Sequence, residues 1–402
     1  MGEFLRIALI FLSLLLALMP EMGCIGYSVN GLIPVAYVLP DSGNNRVFVY
    51  RSDPLTTTAT PIILGQPDMT STAPNVGAAG FNGPSDAFYD GSHIIISDNN
   101  NNRVLIWNSF PTSNDQPADL VLGQPDFQTT TGNTGGISAK SMSSPLGVWS
   151  DGRRMAVADR NNSRILIWQT FPTAIDQPAT LVLGQSSFST AVGSSSAQGL
   201  NILWGVFFDG KHFIVPDEGN ARVLIWNSFP TQMDQAADLE LGQPDMNQHA
   251  GNNGGVSASS LSNPTEVFSD GQHLFVGEWS NQRLLIWNNF PTVNRQPADV
   301  VIGAPSMTTN NGACTNASVA ANNICTVFGV NYDGRLFVSD AINNRVLVWK
   351  SLPTSNGQAA DLVLGQSSFS TFASGSAAGG YSAPRQIFSN VTATGPIKPG
   401  GY

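Results

Sequence analysis

A short phrase recurs six times along the chain, and its regular return limits the possible fold more than any other feature. The best-preserved copy is SDNNNNRVLIWNSFPT at residues 97–112, and a degenerate copy, PDSGNNRVFVY, begins at Pro40. Successive copies lie 57 to 62 residues apart, counted from their shared arginine. A fixed period of this length indicates a repeated supersecondary unit. The six arginines are Arg46, Arg103, Arg164, Arg222, Arg283 and Arg345.

The residues of each unit read as four short strands joined by turns. In the second copy, HIIIS at 93–97 leads into the asparagine turn, RVLIW follows it, and LVLGQPD at 120–126 comes last. A run such as SPLGVWSDG at 144–152 opens a unit and ends in Asp-Gly, a tight hairpin signal. Short runs of aliphatic and aromatic residues between turn residues are typical of β-strands. No segment after the N-terminal region shows a sustained helical period.

Four antiparallel strands in each of six units predict an all-β fold, a six-bladed β-propeller. Separate stacked sheets would leave long apolar edges exposed, which soluble proteins avoid. The first copy lacks an opening strand, whereas the tail APRQIFSN at 383–390 resembles an opening strand with no unit after it. We therefore predict that the C-terminal strand completes the first blade, with GYSVNG at 26–31 as a competitor for the same place.

The repeated turn predicts a local role for its polar residues. Asp98 can accept hydrogen bonds from turn amides, an asparagine tolerates the left-handed conformation, and Arg103 can reach back to the aspartate. The aromatic residue that ends the third strand is expected to pack between blades and not to form a ligand cage, because it recurs at one structural position. These residues are Tyr50, Trp107, Trp168, Trp226, Trp287 and Trp349.

The pattern Asp-x-x-Asn-x-Arg followed by alternating aliphatic residues resembles the NHL repeat of bacterial-type exported proteins. The resemblance covers nearly all of the chain after residue 35, and the fifth copy departs from it with Glu278–Asn281–Arg283. It implies a six-bladed propeller, but it implies little about activity, because propellers host many functions. Some propellers related to this family are lyases or metal-dependent lactonases. The matching positions are Asp41–Asn44–Arg46, Asp98–Asn101–Arg103, Asp159–Asn162–Arg164, Asp217–Asn220–Arg222 and Asp340–Asn343–Arg345.

The N-terminus is predicted to be an export signal. The apolar run from Ile7 to Met19 follows Arg6 and is too short to span a bilayer comfortably. Residues 1–26 are therefore assigned to a signal peptide and residues 27–402 to the propeller. This predicts a periplasmic, cell-surface or extracellular protein. Cys24 leaves two alternatives: it is lipidated and anchors the protein to the membrane, or cleavage after Gly26 removes it.

The other two cysteines agree with export. Cys314 and Cys325 bracket a polar insert, and a disulfide between them would close a long loop. The charge balance argues against nucleic acid as a partner. The formal net charge is −10 and the isoelectric point is near 4.7, and no basic stripe is present to neutralise phosphates.

Candidate functional residues come from positions at which the copies differ. The position four residues before the aspartate of each Asp-Gly turn lies on the opening strand, beside the expected central channel. Asp86 and Glu266 belong to units three apart, so they would face each other across the axis. With Gln386 and the adjacent Arg385 they form a predicted ligand or cation site; the alternative is that single acids line a wet channel. No cofactor is expected, although the carboxylates would suit a divalent cation such as calcium. This axial position holds Asp86, Gly147, Gly205, Glu266, Gly329 and Gln386.

Three histidines are expected to play no joint role. His93, His212 and His273 each follow an Asp-Gly turn, so they lie around one face of the disc, at positions too far apart for a shared metal. At the starts of strands we expect these side chains to be solvated.

The long connections between units indicate where function resides. Segments such as 126–145 and 245–264 are polar, rich in Gly, Ser, Thr and Asn, and share one face of the disc with the asparagine turns. We call this the loop-rich face; loops on a rigid scaffold are common binding surfaces. Since no catalytic motif is recognisable, we predict an exported, non-catalytic monomer that binds a protein or glycan there. The alternatives are a metal-dependent lyase or lactonase-type enzyme with a site at the channel mouth and a structural surface-layer component.

Overall fold

Six four-stranded antiparallel sheets form the chain. The computed structural model describes residues 36–55, 60–310, 319–377 and 379–389, with the backbone of 391–392 and 395–396. The predicted signal peptide with Cys24 and the competing segment 26–31 lie outside the described residues. Within the described ranges, no helix has the length and apolar character needed to cross a membrane.

The strands follow the predicted units, and each blade runs from the axis outwards through an opening, second, third and fourth strand. In blade 1, β1 (Tyr37–Asp41), β2 (Arg46–Tyr50) and β3 (Ile62–Leu64) provide the last three. Blade 2 contains β4 (Pro84–Tyr89), β5 (Ile94–Asp98), β6 (Arg103–Trp107) and β7 (Leu120–Leu122). Blade 3 contains β8 (Pro145–Ser150), β9 (Met155–Asp159), β10 (Arg164–Trp168) and β11 (Leu181–Leu183). Blade 4 contains β12 (Phe207–Phe208), β13 (Phe213–Asp217), β14 (Arg222–Trp226) and β15 (Leu239–Leu241). Blade 5 contains β16 (Pro264–Ser269), β17 (Leu274–Glu278), β18 (Arg283–Trp287) and β19 (Val300–Ile302). Blade 6 contains β20 (Val327–Tyr332), β21 (Leu336–Asp340), β22 (Arg345–Trp349) and β23 (Leu362–Leu364).

The C-terminal strand closes the ring. The strand β24 (Phe388–Ser389) pairs antiparallel with β1, with Phe388 opposite Val38 and Ser389 opposite Tyr37, so blade 1 has the order β24-β1-β2-β3. The prediction that the tail completes the first blade is confirmed. After it, β25 (Val391–Thr392) and β26 (Gly395–Pro396) form a two-stranded hairpin.

The asparagine turn is built as predicted. In blade 2, Arg103 Nε lies 2.7 Å from Asp98 Oδ2, and Asn101 Nδ2 donates to the same oxygen at 2.8 Å. Asn102 has a φ of 55°, in the left-handed region that asparagine tolerates. The same ion pair recurs in all six blades at 2.5 to 2.9 Å, including the glutamate version with Glu278.

The motif arginine also holds the connections between blades. Arg103 Nη1 donates to the carbonyl of Phe127, in the outgoing connection, at 2.6 Å. Its Nη2 donates to the carbonyls of Gly77 and Gly80, in the incoming connection, at 3.0 and 2.9 Å. Equivalent bonds occur in the other five blades. Charge-assisted bonds of this kind satisfy the buried guanidinium and anchor the loop-rich face to the sheets.

The recurring aromatic residues belong to the core. All five tryptophans that end a third strand are fully buried. Trp107 donates from Nε1 to the carbonyl of Gln116 at 3.0 Å and packs against Phe81 at a ring distance of 6.1 Å. A buried indole whose N–H is satisfied contributes apolar packing without a polar penalty. The core assignment of these residues is therefore confirmed.

The prediction that the histidines are solvated is wrong for His212, which is buried, whereas His93 and His273 are partly exposed. Each lies within 3 Å of the aspartate of its own Asp-Gly turn, and His212, only 4% exposed, pairs with Asp209 at 2.9 Å. His212 also stacks on Phe290 of the next blade at 3.6 Å, and His93 stacks on Phe171 at 4.0 Å. In these two cases the phenylalanine of an FPT sequence reaches back to the preceding blade and covers the histidine ring, which the repeat pattern alone does not show.

The predicted disulfide stays a prediction. Cys325 is buried before β20, whereas Cys314 lies outside the described residues.

Candidate binding site at the channel mouth

Two acids face each other across the propeller axis. Asp86 on β4 and Glu266 on β16 belong to blades 2 and 5 and are near enough for the charge of Asp86 to raise the pKa of Glu266. Asp86 Oδ2 accepts a hydrogen bond from the amide of Val148 in blade 3 at 2.7 Å, and its Oδ1 accepts from Ala87 at 2.7 Å. Both oxygens of Asp86 are therefore engaged by backbone amides.

Burial sets the protonation of this axial pair. Desolvation raises the pKa of Asp86 to about 7. The two amide hydrogen bonds lower it, but their effect is smaller than that of desolvation. Desolvation raises the pKa of Glu266 well above its ordinary value, and the charge of Asp86 raises it further. Two like charges in a buried site disfavour ionisation of both groups, so the pair retains a proton at neutral pH. Within the described part of the chain, no three His, Cys, Asp or Glu side chains cluster as they would around a metal.

Most of the remaining axial positions have a packing role. A Cβ on Gly147 would lie 2.6 Å from Cα of Gly205, and one on Gly329 would lie 2.5 Å from Cα of Gln386. The opening strands approach so closely there that only glycine fits. Gln386 accepts from the amide of Val330 at 2.8 Å and donates to its carbonyl at 3.1 Å, which ties the closing strand to blade 6.

Arg385 differs from its neighbours because no acidic side chain in the described ranges pairs with its charge. It precedes Gln386 and lies nearer the loop-rich face, since opening strands run from the long connections towards the Asp-Gly turns. Its guanidinium carbon lies 4.2 Å from the ring centre of Phe328 and 5.5 Å from that of Trp204. The Nε and Nη1 atoms are buried and make no hydrogen bond. Burial lowers the pKa of Arg385 to about 10, so the group is still a cation at pH 7.

Two aromatic rings contact this cation, and a third ring packs against both of them. Trp204 and Phe328 stack nearly parallel, at 4.6 Å and 11°, although blades 4 and 6 contribute them. Trp279 packs edge-on against both, at 6.2 and 6.1 Å. Its side chain follows the motif acid Glu278 on the loop-rich face and is 42% exposed. The mouth of the channel therefore presents an indole to solvent above a stacked aromatic pair, and we call these three rings the aromatic cluster.

A carboxylate fixes the position of the cluster. Trp204 Nε1 donates to Glu218 Oε2, which also pairs with Arg160 Nη2 at 3.1 Å. Asn263 Nδ2 donates to Glu218 Oε1 at 3.2 Å. Glu218 thereby links blades 3, 4 and 5 at the mouth and holds the Trp204 indole in one orientation.

The sequence located part of this site and missed the rest. The sequence placed Asp86 and Glu266 opposite each other, and the structure brings them together. The sequence also grouped them with Arg385, but Arg385 has no carboxylate partner among the described residues. The aromatic cluster and Glu218 were missed, although a signal existed. They occupy two further repeat positions that vary between copies. The residue before the axial position is Ser85, Leu146, Trp204, Thr265, Phe328 or Arg385, and the residue after the motif acid is Ser42, Asn99, Arg160, Glu218, Trp279 or Ala341.

Comparisons with known proteins add little beyond the fold. No protein-family model matches the chain, so membership of the NHL family stays a prediction, and no curated protein matches it. Among solved structures, a provisionally named 6-phosphogluconolactonase from Bacteroides uniformis matches with 13% identity and a TM-score of 0.46, over 90% of this chain and 86% of that one. Another, from Bacteroides fragilis, matches with 15% identity and a TM-score of 0.43, over 81% of this chain and 79% of that one. Likeness at this level does not bear on activity.

Proposed function

We propose that this chain is an exported, non-catalytic propeller that binds a protein or glycan ligand at the loop-rich mouth of its channel. The observation that carries the proposal is the aromatic cluster, in which exposed Trp279 packs edge-on against a stacked ring pair, and this pair contacts a cation that no described carboxylate pairs with. Aromatic surface with a few convergent polar groups is the usual composition of a binding site. The six motif ion pairs hold the surrounding loops in place, so the site is preorganised.

The state of the axial acids favours binding over turnover. A general base or nucleophile needs a free oxygen within reach of substrate. Both oxygens of Asp86 accept backbone amide hydrogens, and Glu266 Oε1 accepts from the amide of Val267 at 3.0 Å. These contacts support a packing role for Asp86, whereas the described residues engage only one oxygen of Glu266 in this way.

Replacement of Trp279 by alanine tests the binding proposal. Wild type would be screened against neutral and acidic oligosaccharides and against polypeptides by calorimetry. For any ligand found, Trp279→Ala is expected to weaken binding by about 2 kcal/mol, roughly thirtyfold, as for a central interface aromatic. The matched control is Ile175→Ala, an exposed apolar residue between β10 and β11 on the opposite face. Equal affinities of wild type and Trp279→Ala, or a loss confined to Ile175→Ala, would contradict the proposed site.

The enzyme alternative has its own test. Metal analysis of purified protein, followed by Asp86→Ala and Glu266→Ala, would be combined with assays on lactones, esters and glycans. The binding proposal expects no stoichiometric ion and no turnover at enzymatic rates. If purified protein held a divalent cation, and both variants lost the cation and the activity, the binding proposal would give way to the hypothesis of a metal-dependent lyase or lactonase.

Export and anchoring are part of the proposal. Mass spectrometry of the mature protein from its native host distinguishes cleavage after Gly26 from a lipid on Cys24. Retention of residues 1–26 in the mature protein would contradict export by a cleaved signal.

A further inference from the structure

We propose that the ligand at the channel mouth is an acidic saccharide whose carboxylate pairs with Arg385 and whose sugar ring packs on Trp279. This inference rests on the proposed function and adds the chemical class of the ligand. It is argued from the missing partner of Arg385, from the groups that could have supplied one, and from the surface above it.

The guanidinium of Arg385 lacks what a buried cation normally has. Burial of a charge is costly unless the charge is paired and hydrogen-bonded. Its guanidinium carbon lies 4.2 Å from the ring centre of Phe328 and 5.5 Å from that of Trp204, and cation–π contact offsets only part of that cost. With Nε and Nη1 both unpartnered, each of the two forks of the guanidinium retains a free donor.

The neighbouring protein carboxylates are already used. Glu218 accepts from Trp204, Arg160 and Asn263, and makes no bond to Arg385. Asp86 accepts from two backbone amides. The acceptor that would complete Arg385 therefore comes from outside the described residues. A carboxylate matches it best, because carboxylate and guanidinium form planar, charge-assisted pairs.

The surface above Arg385 fits a sugar. Trp279 exposes indole next to the Trp204–Phe328 stack, and an apolar C–H face of a pyranose ring packs on such a surface. The hydroxyl groups at the ring edge need donors and acceptors, and the polar connections of the loop-rich face provide them. A flat aromatic surface surrounded by amide and carboxyl groups suits a hydroxylated ring better than an apolar peptide side chain.

The test compares two probes that differ in charge. Tetragalacturonate and its methyl ester would be titrated by calorimetry into wild type, Arg385→Met, Arg385→Lys and Trp279→Ala. Wild type is expected to bind the acid at least about tenfold more tightly than the ester, the size of one charge-assisted hydrogen bond. Arg385→Met should bind both probes within about twofold of each other. Arg385→Lys keeps the charge without the fork and should retain part of the preference. Trp279→Ala should weaken the binding of both probes about thirtyfold.

Three results of this titration would overturn the inference. Equal binding of acid and ester by wild type, a preference that survives in Arg385→Met, or no binding of either probe would do so. A tripeptide with a free C-terminal carboxylate that binds more tightly than the sugar acid would assign the site to peptides instead. Failure here is separable from failure of the proposed function. If a neutral glycan or a polypeptide bound in a manner that depends on Trp279, the proposed binding site would stand. Only the assignment of its ligand as an acidic saccharide would then be rejected.

Discussion

Buried arginines occur in two settings in this propeller, and the contrast separates architecture from function. In each blade the motif arginine pairs with a carboxylate and donates to carbonyls of two connections; Arg103 makes four such bonds. Arg385 is partly buried beside the rings of Phe328 and Trp204, and its Nε and Nη1 make none. The fold fully explains the first kind, because its charge is compensated within one protein. The second kind carries a charge that the described protein groups leave uncompensated, which is expected of a binding site.

Carboxyl groups show the same contrast. Glu278, a motif acid, is paired with Arg283 at 2.5 Å and accepts from Asn281 at 2.7 Å. Glu266, twelve residues earlier and on the axis, faces Asp86 in place of a cation. Paired charges thus recur at one repeat position, whereas the two axial acids face each other without a cation from the described residues.

The largest expected effect is the loss of a motif arginine. Arg103→Met leaves Asp98 as an uncompensated buried charge and releases two connections, so the free energy of unfolding should fall by about 3–5 kcal/mol. Urea denaturation followed by tryptophan fluorescence measures it. Lys140→Met is the control, because the exposed pair of Lys140 with Asp176 should contribute at most about 1 kcal/mol. A loss from Arg103→Met no larger than that of the control would break the comparison.

The same substitution at the mouth should have the opposite outcome. Arg385→Met removes a partly buried cation, whose buried Nε and Nη1 make no hydrogen bond, and keeps the packing on Phe328. Stability without ligand should therefore be unchanged or higher by up to about 2 kcal/mol, since an unsatisfied buried group costs this order of energy. The same urea experiment measures it. A loss comparable to that of Arg103→Met would show that Arg385 is structural.

A smaller effect concerns the pH dependence of stability. Folding raises the pKa of Asp86 and Glu266. The native state therefore holds protons that the unfolded chain has released, and the free energy of unfolding falls as pH rises from about 4 to above 7. In Glu266→Gln the substituted side chain cannot ionise, and the like charge beside Asp86 is removed. The free energy of unfolding of this variant should therefore fall less steeply over this pH range.

The control for this measurement is the exposed Asp68. Hydrogen bonds from Thr70 and Ser71 lower its pKa to about 2, so Asp68→Asn should leave the slope above about pH 5 unchanged. Equal slopes for wild type and Glu266→Gln would show that the axial pair is solvated or paired with a cation.

Much of this architecture was readable from the sequence because the information is local. The asparagine turn, the Asp98–Arg103 pair and the four strand runs involve residues close in the chain, and the period repeats them six times. The unmatched tail at 383–390 revealed the closure. Six-fold symmetry then placed Asp86 opposite Glu266 without any further information.

Other features depended on contacts that no local pattern encodes. Trp204 packs against Phe328 of another blade, and Arg385 contacts both rings. These contacts depend on how the blades pack around the axis. The burial of His212 under Phe290 also depends on a neighbouring blade. The sequence suggested that Arg385 belongs at the channel, but whether its donors were satisfied was not readable from it.

By itself, the sequence determined the number of blades, the motif ion pairs and the strand that closes the ring, because regular spacing encodes hydrogen bonding between neighbouring strands. Only the tertiary structure decided which non-repeated side chains meet at the mouth and which charge is left without a partner. The reason is that contacts across the axis join residues from different repeats, and these depend on side-chain directions and blade packing that the repeat period does not specify.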